Sequence, residues 1–212
     1  KPSSGDHLEP VNPNASQKSK NLYYFIQDIG GNYTLSGQHN FCGKGSAYSD
    51  QLEELTGKKA VIWGSDFSFC VTGEDAMRFQ HCGPANLPAF SLDAYREKGD
   101  SAKEFSMPEL EFLDITLEKA RDQMIAEAMK QHAEGRIITL MWHGCFPTEG
   151  DCCNGSSIWA MEDRPTPTEW DNLVTEGTDL NKAWKEGADK IAGYLKQLQD
   201  ADIPVLWRPY HE

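Results

Sequence analysis

The chain has 212 residues, of which 39% are hydrophobic, so it is long enough to bury a core and does not belong to the disordered class. Its formal net charge of −13 argues against nucleic acid or an anionic membrane surface as a partner. No apolar stretch approaches the roughly 20 residues that a membrane-spanning helix needs.

The N-terminal third begins with a polar segment. The first twenty residues, KPSSGDHLEPVNPNASQKSK, have no apolar periodicity and predict a leader, a linker or an arm lying across the fold. From residue 21, NLYYFIQDIGG predicts a short helix, and a brief strand follows around Thr34–Gln38. SAYSDQLEELTGKK predicts a second helix that stops at Gly57. AVIWGSDF then predicts a buried strand.

The remaining elements continue this alternation. Apolar residues at close to helical spacing predict a long helix between residues 115 and 135, ended by Gly135. RIITLMWHG predicts the next strand, and an irregular, cysteine-containing loop follows it. DLNKAWKEGADKIAGYLKQLQDAD predicts a helix, and IPVLWRPY predicts a final strand. Strands that alternate with helices indicate right-handed β-α-β units and a parallel sheet.

Two parallel α/β folds fit this order. A doubly wound sheet should carry a Gly-rich phosphate turn after its first strand, but SGQHNFCGKGS contains no G-x-G-x-x-G, and the chain has no Walker lysine. Polar side chains instead follow the strands, as in a (β/α)8 TIM barrel whose C-terminal strand ends form the active site. We therefore predict an α/β fold in which the chain forms about the first four strands, or half, of such a barrel.

The six cysteines favour an oxidising compartment. They lie in Gly-, Asn- and Asp-rich stretches near segment ends, which favours disulfides that tie loops together; they are Cys42, Cys70, Cys82, Cys145, Cys152 and Cys153. A zinc site with His143, Cys145, Cys152 and Cys153 is the alternative, but it lacks the C-x2-4-C spacing of structural sites, so no metal is predicted. The chain starts at Lys1 without a signal peptide, as a processed secreted protein would, and we expect an extracellular location.

Four strand-end motifs together resemble glycoside hydrolase family 26. The last strand ends in Arg208-Pro209-Tyr210-His211-Glu212, which is similar to the family's R-P-x-H-E signature on the fourth barrel strand. Ser36-Gly37-Gln38-His39-Asn40 resembles the end of the first strand, Trp63-Gly64-Ser65-Asp66 that of the second, and Trp142-His143 that of the third. The resemblance runs from about residue 21 to 212. The members of this family are chiefly endo-β-1,4-mannanases, and a minority act on β-1,3-xylan or mixed-linkage glucan.

The resemblance implies a retaining glycosidase that needs no cofactor. In such an enzyme two carboxyl groups stand about 5–5.5 Å apart, one as acid/base and one as nucleophile. By resemblance, Glu212 is the general acid/base. The family's nucleophile is a Glu at the end of strand seven, which would lie outside this chain. Glu149, Asp151, Glu162 and Asp163 are interpreted as loop acids.

Substrate-binding roles are also implied by the resemblance. His211 would contact the sugar beside the acid/base, His143 would be the substrate-binding histidine of strand three, and Trp159 would border the cleaved bond. Arg208 lies on the same strand face as Glu212 and would pair with the nucleophile. The alternatives are structural: hydrogen bonding by the histidines, an internal ion pair for Arg208, and a loop cap for Asp66. His39 and Asp66 complete the set of predicted substrate-binding residues.

Two functions of different classes follow. The first is a secreted enzyme that cleaves internal bonds of mannan, galactomannan or glucomannan and is a monomer once its barrel is complete. The second is a non-catalytic carbohydrate-binding or scaffold protein of the same fold. A strand ending in Glu elsewhere in the polypeptide would favour the first. The expected partner in both cases is a polysaccharide.

Overall fold

The main sheet of the protein is parallel. The computed structural model describes residues 7–40, 42–67, 79–84, 110–113, 116–149 and 165–209. Within them, β1 (Gly37–Asn40), β2 (Ile62–Asp66), β5 (Ile137–Trp142) and β6 (Val205–Pro209) form one four-stranded sheet in that order, with all three pairings parallel. A second sheet pairs β3 (Phe79–Pro84) with β4 (Leu110–Leu113) antiparallel. The predicted parallel α/β order is therefore confirmed, whereas the antiparallel pair was not predicted.

Helices separate the parallel strands. They are α1 (Gln17–Ile29), α2 (Ala47–Thr56), α3 (Leu117–Ala133), α4 (Pro167–Val174) and α5 (Asp179–Asp200), and a 3-10 turn spans Pro147–Glu149. Threonine side chains cap the last three helices, since Thr116, Thr166 and Thr178 each accept a hydrogen bond from a backbone N–H of the first turn. Among the described helices, none is both long and apolar enough to cross a bilayer. Helix α4 was not predicted, because its residues belong to the segment for which the sequence predicts an irregular loop.

Gly57 and Gly135 end their helices as predicted. Gly57 has φ 67° and Gly135 has φ 92°, values in the left-handed region that glycine adopts without a steric penalty. The first predicted strand is displaced, since β1 begins at Gly37 rather than at Thr34. Its four residues pair with β2, which sets its bounds more strongly than local composition does.

The N-terminal segment packs on the first helix. Helix α1 begins at Gln17, four residues before the predicted start. Residues ahead of it lie along its surface: His7 Nε2 is 2.7 Å from Asp28 Oδ1, and the backbone N–H of Leu8 donates to Gln27 Oε1 at 2.9 Å. This arrangement resembles the predicted arm more than a free linker. A domain boundary at residue 20 would fall inside α1 and stays a prediction.

The hydrophobic core lies between the parallel sheet and the helices. Strand residues Trp63, Ile138 and Leu140 are 0% exposed and belong to one cluster with residues of α3 and α5. The buried helix members of that cluster are Ala120, Met124, Ile125, Ala128, Ile191 and Leu198. At about 25 cal/mol per Å² of apolar surface removed from water, this interface is the main source of stability in the described part of the chain.

A glycine allows two strands to approach closely within this sheet. A Cβ atom on Gly64 would lie 2.8 Å from Thr139 Cγ2 of the neighbouring strand, closer than real contacts allow. Thr139 cannot easily turn away, since its Oγ1 donates to the carbonyl oxygen of Leu206 at 2.9 Å. Glycine is therefore required at position 64, two residues before the C-terminal end of β2.

A buried polar chain links β2 to two helices. The indole Nε1 of Trp63 donates to Ser46 Oγ at 2.9 Å, and Ser46 Oγ donates to Glu127 Oε1 at 2.5 Å. The same carboxylate oxygen accepts a hydrogen bond from Gln131 Nε2 at 2.7 Å. Burial opposes ionisation and acts to raise the pKa of Glu127. The hydrogen bonds from Ser46 and Gln131, with the charge of Lys130, outweigh burial and leave that pKa lowered.

Glu127→Gln is expected to destabilise the protein in a pH-dependent manner. Because the folded-state pKa is below the ordinary value of 4.5, ionised Glu127 stabilises the fold above that pH, and this contribution is lost as pH falls through the folded pKa. Hydrogen bonds to a charged group suggest a loss of roughly 1–3 kcal/mol in the free energy of unfolding at neutral pH. Urea denaturation of wild type and variant, at neutral pH and well below 4.5, measures the difference. The exposed control Glu54→Gln should change little, and a Glu127 effect that is constant with pH would contradict the assignment.

Candidate active site

The predicted site residues on the parallel strands share one face of the sheet. Side chains along a strand alternate between faces, and Trp63, Leu140 and Trp207 point to the helices. The opposite face is called the inner face below. The strand register places His39, Gly64, Thr139 and Leu206 in one row of the inner face, and Asp66, Met141 and Arg208 in the next row toward the C-terminal ends. His143 follows β5 with the same alternation as Met141.

Asp66 and His143 are in direct contact. Asp66 Oδ2 lies 2.5 Å from His143 Nδ1, and the side chains are 0% and 11% exposed respectively. The backbone supports this contact, because the N–H of Phe67 donates to the carbonyl oxygen of Met141 at 3.0 Å and extends the pairing of β2 with β5. The structure thus brings together two residues that the sequence predicts as separate substrate contacts.

His39 lies on the inner face and is half-buried, and its neighbour Asn40 anchors the end of β1. Asn40 is 0% exposed, accepts a hydrogen bond from the backbone N–H of Ser49 at 3.0 Å and donates to Ser49 Oγ at 2.8 Å. These bonds fix the first strand end to α2. Asn40 was not among the predicted site residues, although a polar residue at the end of a buried strand is the signal that could have identified it.

Arg121 of α3 is a second residue that the sequence analysis missed. It is 2% exposed, and its Nε donates to the carbonyl oxygen of Phe67 at 2.8 Å, directly after Asp66. A buried guanidinium is costly unless it is paired, so its position next to a predicted site residue is informative. Its sequence signal is a basic residue whose neighbours one helical turn away, Leu117, Met124 and Ile125, are apolar.

Cys42 lies close enough to these charges to be affected by them. It is a free thiol with no exposed surface. Burial raises the pKa of Cys42 to about 12; the charge of Arg121 acts to lower it, and that of Asp66 acts to raise it further. At neutral pH it is therefore a protonated, unreactive thiol, which indicates a packing role.

The helix side of the sheet contains a cavity of about 170 Å³. It is lined by residues that include Arg121, Trp142, Cys145, Trp184 and Lys190, between the end of β5, α3 and α5. Because Trp142 alternates with Met141 and His143, this cavity is on the opposite side of the sheet from the inner face. It is therefore not the cleft that the resemblance predicts.

Arg208 is exposed at the C-terminal end of β6 and lies across Met141 from Asp66. Within the described ranges it forms no ion pair. Trp159, His211 and Glu212 lie outside the described residues, as do Asp151, Glu162, Asp163 and the side chain of Glu149. Their assignments stay predictions.

Comparison with known proteins gives one consistent family. The description of the matching family is "Glycosyl hydrolase family 26", and the match covers residues 110–212. A "Mannan endo-1,4-beta-mannosidase B" from Piromyces sp is 26% identical over 206 residues, which is 95% of this chain and 28% of that protein. A "Mannan endo-1,4-beta-mannosidase" from Thermothelomyces thermophilus is 22% identical over 95% of this chain and 33% of that protein.

Solved structures agree with the sequence comparison. GH26A from Muricauda sp. MAR_2010_75 superimposes with a TM-score of 0.68 at 27% identity, covering 95% of this chain and 50% of that one. A β-mannanase from a symbiotic protist of the termite Reticulitermes speratus gives a TM-score of 0.64 at 25% identity, covering 96% and 52% respectively. The chain spans about half the length of these structures. Residues 110–212 therefore resemble glycosyl hydrolase family 26, and the four parallel strands with their helices correspond to half of the TIM barrel of these similar structures.

Proposed function

We propose that this chain supplies the N-terminal half of the catalytic barrel of a retaining hydrolase that cleaves internal β-1,4-mannosidic bonds. The observation that carries the proposal is the convergence of Asp66, His143 and Arg208 at the C-terminal ends of adjacent parallel strands. That is the end of a barrel where active sites form. The mannanases to which the chain is similar add support for mannan as the substrate.

The proposed mechanism assigns Glu212 as general acid/base. In the first step its carboxyl group protonates the leaving glycosidic oxygen while a nucleophilic carboxylate, supplied from outside this chain, attacks the anomeric carbon. In the second step the ionised Glu212 removes a proton from water, which hydrolyses the covalent glycosyl-enzyme. Arg208 lies on the same strand face as Glu212 and could hold the nucleophile in its ionised form.

Sugar binding is assigned to residues around Glu212. His211 and Trp159 would contact the sugar rings on either side of the cleaved bond, with the indole of Trp159 as an apolar platform. His143 and His39, both on the inner face, would supply hydrogen bonds to hydroxyl groups. None of these contacts needs a metal or a cofactor.

We also propose that the protein is secreted. Cys145 is disulfide-bonded, which supports an oxidising compartment. Cys42 is a free thiol within the core. Titration of the denatured, non-reduced protein with a thiol reagent is expected to find few free thiols, one of them Cys42. Four or more of the six cysteines reacting would contradict the proposal.

A substrate panel tests the proposed activity. A full-length polypeptide that carries this chain is incubated with β-mannan, galactomannan, glucomannan, β-1,3-xylan and mixed-linkage glucan, and reducing ends are measured. We expect the highest rate on a mannan. Faster cleavage of xylan or mixed-linkage glucan would show that one of these polysaccharides, and not mannan, is the preferred substrate. Binding of mannan without any cleavage would instead favour a non-catalytic carbohydrate-binding protein.

A further inference from the structure

Asp66 is buried too deeply to act as a direct sugar ligand. Its side chain has no exposed surface in the described part of the barrel, whereas His143 retains 11% of its own. Oδ2 of Asp66 lies 2.5 Å from Nδ1 of His143, so the two side chains are in direct hydrogen-bond contact. Any influence of Asp66 on a substrate would therefore pass through His143.

The contact restricts what the imidazole ring can do. An ionised carboxylate has only acceptor atoms, so the proton between the two groups belongs to Nδ1. In a neutral imidazole, a proton on Nδ1 makes Nε2 a hydrogen-bond acceptor. With Nδ1 engaged by Asp66, Nε2 is the acceptor atom of the ring, and this atom is itself buried.

The backbone makes Asp66 the more rigid of the two partners. Asp66 is the last residue of β2 and pairs with Met141, and the N–H of Phe67 continues the ladder beyond it. His143 follows the last residue of β5 and begins the connection to the next helix. A strand carboxylate thus fixes the ring of a residue at the start of a loop. Functional histidines are commonly oriented in this way by a group that contacts the ring but not the ligand.

We infer that Asp66 is a positioning residue that sets the orientation and tautomer of His143 and acts on sugar binding only through this ring. The inference rests on the proposed function for the nature of the ligand. It assigns Asp66 a role distinct from the direct contact that the sequence predicts.

Three single variants and one double variant test the role. Asp66→Asn keeps the size of the side chain, but its carboxamide also offers a donor and no longer imposes a proton on Nδ1. His143→Ala removes the ring. Ser65→Ala is the matched control, since Ser65 is 1% exposed, faces the helices, and its Oγ has no hydrogen-bond partner in the described structure. The double variant Asp66→Asn/His143→Ala measures the coupling between the two residues.

Kinetics on a manno-oligosaccharide give the first readout. Asp66→Asn and His143→Ala are each expected to raise KM about tenfold with little change in kcat, because the ring assigned to sugar binding is misoriented or lost. The double variant should bind no worse than His143→Ala, and Ser65→Ala should match wild type. Effects that multiply in the double variant, or an unchanged KM in Asp66→Asn, would overturn the inference.

Nitrogen NMR of the ligand-free protein gives a readout that does not depend on the substrate. With ¹⁵N-labelled histidine, wild type and Ser65→Ala should show His143 protonated at Nδ1 and unprotonated at Nε2, and Asp66→Asn should not retain this pattern. Protonation of both ring nitrogens in wild type, or an identical pattern in Asp66→Asn, would contradict the inference. If wild type cleaves no β-mannan, the proposed function fails, and the NMR comparison still decides the role of Asp66.

Discussion

Glu212→Ala in the full-length enzyme is expected to lower the rate of mannan hydrolysis by about 10²- to 10⁴-fold, the usual contribution of proton transfer by a positioned side chain. The leaving group of a polysaccharide is a poor one, so its departure depends on protonation. An aryl mannoside with an activated leaving group needs little protonation, and the first step on that substrate should be affected much less. The loss is therefore expected to depend on the leaving group, and parallel assays on both substrates measure it.

The same variant should accumulate the covalent intermediate. Without Glu212 no general base assists the attack of water, so a burst of released aryl group is expected, followed by slow turnover. Azide, which needs no general base, should partly restore the rate. The surface control Glu54→Ala should behave as wild type. Equal losses on both substrates without a burst, or full activity on mannan, would remove Glu212 from the acid/base role.

Phe67→Ala is expected to cost about 3–5 kcal/mol in the free energy of unfolding, as truncation of a fully buried phenylalanine usually does. Phe67 is 0% exposed, and its ring centroid lies 5.8 Å from that of Tyr194 and 6.0 Å from that of Trp207. It therefore packs against both α5 and β6. The bond from Arg121 to the backbone carbonyl of residue 67 is retained in the variant, so the loss reports on packing of the ring.

Chemical denaturation of the full-length protein measures this loss. Tyr33→Ala, at a residue that is 76% exposed, is the aromatic control and should change the free energy of unfolding by less than about 0.5 kcal/mol. Phe67→Leu should fall between the two, because it keeps most of the buried volume. A loss in Phe67→Ala as small as in the control would contradict the described packing of α5 and β6 around this ring.

The elements with strong local signals were predictable from sequence. Gly57 and Gly135 end their helices in the left-handed conformation, so the stops of α2 and α3 follow from residue type alone. The apolar run around Leu140 forms β5, which lies between β2 and β6 in the sheet. Its continuous hydrophobicity is typical of a central strand in a parallel sheet. The alternation of such strands with helices was sufficient for the parallel order.

Features that depend on contacts between distant residues were not predictable. Asp66 and His143 are 77 positions apart, and only the register of β2 with β5 brings them to 2.5 Å. Arg121 falls within a predicted helix, but its bond to the Phe67 carbonyl requires the packing of α3 on β2. The pairing of β3 with β4 likewise joins segments with no alternating pattern strong enough to predict a strand.

We propose that this chain forms half of the active site of a retaining mannan hydrolase. The anomeric configuration of the first product tests it most directly, by ¹H NMR spectra recorded at intervals while the full-length protein cleaves a β-manno-oligosaccharide. Retention predicts that the β-anomer forms first and then mutarotates. Initial release of the α-anomer would indicate an inverting enzyme with carboxyl groups about 6.5–9.5 Å apart, and it would contradict the account, as would the absence of cleavage.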